Sequence, residues 1–79
     1  MMTIQELGLS YLENSRICRA RWRELHERLK NEELRECDRL LLRRRMTILQ
    51  AMADETHAIG QYLRDYYHDE ERANETTDP

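Results

Sequence analysis

The 79-residue chain contains no Phe and no Val, and only two Gly and one Pro. Without Val, its apolar β-branched residues reduce to Ile4, Ile17, Ile48 and Ile59, which gives a sheet little to build on. The shortage of Gly excludes a Gly-rich phosphate loop, and no uninterrupted apolar run approaches the length of a membrane span. No secretory leader is recognisable, so a cytoplasmic location is expected. Cysteine is also scarce. Cys18 and Cys37 are fewer than a secreted domain of this size uses to reinforce a thin core, and two reduced, buried thiols are expected.

What the chain does contain is Leu, Arg and Glu, all strong helix formers. Charged residues make up 37% of it and hydrophobic residues 39%. The fold class expected is therefore all-α. The net charge of −3 conceals a strong segregation. Residues 15–46 hold eleven Lys and Arg against six Asp and Glu, whereas residues 47–79 hold two against eight. Residues 1–14 add Glu6 and Glu13. Such a division bears on partners rather than on fold, and lets the basic part of one copy meet the acidic part of another.

Thr3 followed by Glu6 has the spacing of a capping box and starts a first helix, expected over about residues 4–30. Ile4, Tyr11, Cys18 and Leu25 recur every seven residues, as do Gly8, Ser15, Trp22 and Leu29. These two rows form one seam of coiled-coil type. A break is expected near Asn31, which is suited to a left-handed cap, and Glu32 and Glu33 suit the positive N-terminus of a second helix over about residues 32–70. Its apolar stripe is read as Leu34, Leu41, Ile48, Met52, Ile59, Leu63 and Tyr66, flanked by Leu42, Leu49, Thr56 and Tyr67. Residues 71–79 are polar and without pattern, as a disordered tail would be.

Folding back at Asn31 sets Trp22 beside Leu41, Ser15 beside Ile48 and Ile4 beside Ile59. On that register two helices cannot cover Leu12, Leu42, Leu49, Tyr62, Leu63, Tyr66 and Tyr67. The expected solution is a self-associating hairpin, two of which complete a four-helix bundle as a homodimer; another helical protein is the alternative occupant. One long bent helix is the competing arrangement, since no Gly or Pro marks the turn.

Chemistry has little to work with. His26, His57, His68 and the two cysteines are too dispersed for a zinc pattern, and Asp54 with His57 lacks the second carboxylate set of a di-metal bundle. No nucleophile, base and orienting group come together. The expectation is a non-enzymatic protein-interaction module with no cofactor, metal, small-molecule substrate or membrane partner. The alternative is a small nucleic-acid-binding or transcription-associated factor, for which Arg16, Arg19, Arg21, Arg23, Arg39, Arg43 and Arg44 would supply an anion-gripping band.

Overall fold

The computed structural model describes the backbone of residues 2–76 and the side chains of residues 2–66. Two helices, α1 (Ile4–Asn31) and α2 (Glu36–Thr76), pack against each other as an antiparallel hairpin. The Thr3 box forms as the spacing predicts. The Glu6 amide donates to Thr3 Oγ1 at 3.1 Å, and the Thr3 amide donates to Glu6 Oε2 at 3.4 Å. Two of the free amides at the start of α1 are thereby satisfied.

The turn differs from the expected one. Asn31 is still helical, and Glu32 caps α1 in an extended conformation (φ −98°, ψ 142°), its amide donating to the Arg28 carbonyl at 3.0 Å. No described residue adopts positive φ, so the reversal uses four residues, 32–35, in place of a left-handed cap. Glu32 and Glu33 therefore lie in the connection, and Glu36 and Asp38 occupy the first turn of α2.

That longer connection moves the register. The Ser15 hydroxyl donates to the Ala53 carbonyl at 2.9 Å, so Ser15 lies five residues further along α2 than the expected Ile48. The α1 seam is as read from Gly8 onwards: Gly8, Ser15, Cys18 and Leu25 are buried, with Tyr11, Trp22 and Leu29 half-buried, whereas Ile4 at its start is exposed. The α2 seam is so only in part. Its covered row is Leu42, Met46, Leu49, Ala53, Thr56, Gly60 and Leu63. Of the expected stripe Leu34, Ile59 and Leu63 are half-buried, but Leu41, Ile48, Met52 and Tyr66 are exposed, and at 41, 48 and 52 the covered residue is the next one along. A shift of one residue turns a helix face by about 100°.

Leu25, Leu42 and Met46 form the core near the turn, with Trp22, Leu29, Leu34 and Leu49 packed around them. Towards the open end the side chains shrink. A Cβ on Gly60 would lie 2.7 Å from Leu12 Cγ, and one on Gly8 would lie 3.3 Å from Leu63 Cβ. The helices approach closely there because Gly8, Ser15, Ala53 and Gly60 leave room. The radius of gyration is 18.5 Å, against about 12 Å for a globular domain of this length. An elongated hairpin without a third layer has this shape.

Candidate interaction surface

Rotation of the α2 seam decides what remains uncovered. Leu42 is buried by its own hairpin, which corrects the expectation that the hairpin cannot cover it, while Leu12, Leu49 and Leu63 are half-buried. Left open instead are Leu41, Ile48 and Met52, at 59%, 53% and 47% exposure. Tyr62 and Tyr66 continue the same side at 68% and 46%, and Ile59, between Met52 and Tyr62, is half-covered. The Tyr67 side chain falls outside the residues described with side chains. Of the expected tail, residues 71–79, the backbone of 71–76 continues α2, and 77–79 lie outside the described residues.

The uncovered row has its own regular spacing. Leu41, Ile48 and Tyr62 belong to one seven-residue series, and Met52, Ile59 and Tyr66 to another set four positions along. Alternating steps of four and three make a second coiled-coil seam, parallel to the first and about 100° round the helix. Two charged residues stand within it, Arg45 and Glu55, both exposed. Arg45 lines the open side with Arg21, Leu25, Ile48 and Leu49.

The arginines do not form one band. Arg19 and Arg23 share a groove with Trp22, Leu49, Gln50 and Ala53, and Arg43 lines an adjoining groove with Trp22 and Met46. Arg21 is on the other side with Arg45, and Arg39 sits near the turn with Arg43 and Leu40. Four arginines have carboxylate partners: Arg16 with Glu13, Arg19 with Asp54, Arg21 with Glu24 and Arg28 with Glu32, at 3.0–3.7 Å. Of these, Arg19–Asp54 crosses between helices. Exposed pairs of this kind contribute about 0–1 kcal/mol each. Among the described residues Arg23, Arg39, Arg43 and Arg44 make no ion pair. Trp22 stacks on His26 with ring centroids 4.9 Å apart.

Cys18 is buried as expected, but Cys37, in the first turn of α2, is exposed. Among the described residues, no group of three His, Cys, Asp or Glu side chains is placed to hold a metal ion, and no helix is long and apolar enough to cross a membrane. No family model, curated protein or solved structure matches the chain. The hairpin leaves the apolar seam on α2 uncovered, and its chemistry suits another helix.

Proposed function

We propose that this chain is a non-enzymatic helical interaction module whose hairpin self-associates through the open seam of α2, two copies completing a four-helix assembly. The observation that carries this reading is the second apolar seam, Leu41, Ile48 and Met52 continued by Tyr62 and Tyr66, left in water by the hairpin. Large apolar side chains exposed in a row along one helix face mark a contact surface more often than singly scattered ones do. Tyr suits such a contact, since its ring is buried while its hydroxyl stays hydrated. Each fully buried Leu, Ile or Met side chain contributes about 1.5–3 kcal/mol.

Introducing charge into the seam tests the reading. Ile48→Asp with Met52→Asp should convert an associated species into a monomer, because both carboxylates would enter the apolar contact. The measurement is size-exclusion chromatography with in-line light scattering, with circular dichroism alongside. Natural chain and variant of the same monomeric mass would refute self-association through this seam.

A second reading, binding of nucleic-acid phosphates, rests on Arg19, Arg23 and Arg43 lining adjoining grooves around Trp22. It predicts a mobility shift of single-stranded RNA or DNA that fades with salt and is lost with Arg23→Glu and Arg43→Glu. Association without such a shift leaves the first reading standing alone.

A further inference from the structure

The open seam has an internal polarity that selects one way for two copies to meet. Its full series is Leu41, Ile48, Glu55 and Tyr62 in one seven-residue row, and Arg45, Met52, Ile59 and Tyr66 in the other. Arg45 lies five residues before Gln50 in sequence and Glu55 five residues after it. Both are exposed, and among the described residues neither makes an ion pair.

We infer that the partner of the α2 seam is a second copy of this chain docked antiparallel, with a two-fold axis crossing α2 at the level of Gln50. This rests on the self-association reading above and adds its geometry. In an antiparallel helix pair, residues equally far on either side of the axis face one another, which joins one row of a seam to the other row of its partner. The two-fold then sets Ile48 against Met52 and Leu41 against Ile59. Arg45 of each copy meets Glu55 of the other, twice per dimer. Leu41, Ile48, Met52 and Ile59 each gain an apolar counterpart, and both charges gain an opposite one.

A parallel, in-register dimer does the reverse. Each row faces itself, so Arg45 meets Arg45 and Glu55 meets Glu55, and like charges side by side at an interface are strongly unfavourable. The surrounding charge favours the same choice. Residues 36–49 carry Arg39, Arg43, Arg44 and Arg45 against Glu36 and Asp38, while residues 51–66 carry Asp54, Glu55 and Asp65 against Arg64. The two-fold overlays the basic half of α2 on the acidic half of its partner. Polar residues at single seam positions fix register and orientation in this manner.

The test combines charge exchange with a distance. Arg45→Glu or Glu55→Arg alone should weaken dimerisation at least tenfold, because each creates two like-charge contacts. Arg45→Glu with Glu55→Arg together should restore it to within a few-fold of the natural chain. Circular dichroism above the dissociation constant checks that helix content is retained. Cys37 is exposed while Cys18 is buried, so a nitroxide label can be placed on Cys37 of the natural chain. At about 1.5 Å per residue, the antiparallel dimer separates the two labels by about 40 Å, and a parallel one holds them within about 20 Å. Pulsed electron paramagnetic resonance reads this directly. A long separation with rescue in the double variant is the expected result. A dimer with a short separation, or a double variant no better than either single one, overturns the antiparallel arrangement while leaving self-association intact. A natural chain that remains monomeric overturns both.

Discussion

The tightest contacts in the hairpin involve its two glycines, and they make different demands. A methyl group on Gly60 would meet Leu12 at 2.7–2.8 Å and the Gly8 carbonyl oxygen at 3.1 Å. Leu12 can turn aside, but the Gly8 backbone cannot move without parting the helices. Gly60→Ala should therefore cost about 1–3 kcal/mol from overpacking, against a gain of only about 1 kcal/mol in helix propensity. At Gly8 the nearest atoms, Leu63 Cβ and the Gly60 carbonyl oxygen, stand at 3.3 and 3.4 Å. The two effects nearly cancel there, and Gly8→Ala should lie within about 1 kcal/mol of the natural chain. Urea denaturation of the two variants at one protein concentration provides the comparison. Equal midpoints for Gly60→Ala and the natural chain would show that the open end is looser than described. Ser15 is the third small residue on this side of the seam, and its hydroxyl finds a buried acceptor in the Ala53 carbonyl. A polar side chain is tolerated at a seam position when it is bonded in this way.

At the scale of elements, α1 carries its own start signal. Thr3→Ala removes the side-chain acceptor of the Glu6 amide and should lower stability by about 1 kcal/mol. A midpoint unchanged under matched conditions would mean that the first turn of α1 frays in solution. This cap and most of the α1 seam were legible in the sequence, since Ser15, Trp22 and Leu29 have polar neighbours that leave one apolar face to choose. On α2 the same reasoning failed for a definite reason. Leu41 is followed by Leu42, Ile48 by Leu49, Met52 by Ala53 and Tyr62 by Leu63. Such pairs create two seams one residue apart, and hydrophobicity alone cannot say which of them faces α1. Size can: the small pair Gly8 and Ser15 requires a closely approaching helix, and Ala53 with Gly60 is the row that permits one. The turn was illegible for another reason. Residues 32–35 contain neither Gly nor Pro and reverse the chain without positive φ, so the reversal was placed at Asn31 and the register came out five residues short. The difference bears on the site: the expected register leaves Leu42 and Leu49 outside and puts Leu41, Ile48 and Met52 within the hairpin, whereas Leu42 is buried, Leu49 half-buried and the other three exposed.

For the molecule as a whole, two helices of 28 and 41 residues share one narrow seam and leave a second one open on the longer helix. The buried apolar side chains of the described residues are Cys18, Leu25, Leu42, Met46 and Ala53, a small core for a chain of this length. Covering the α2 seam with a second copy would enlarge it, and the proposed stability of the hairpin would then depend on concentration. Sedimentation equilibrium of the unaltered chain across a dilution series from micromolar upwards tests this most directly. The account predicts a species of twice the 9.7 kDa chain mass that dissociates on dilution. A well-folded particle of 9.7 kDa at every concentration would contradict it.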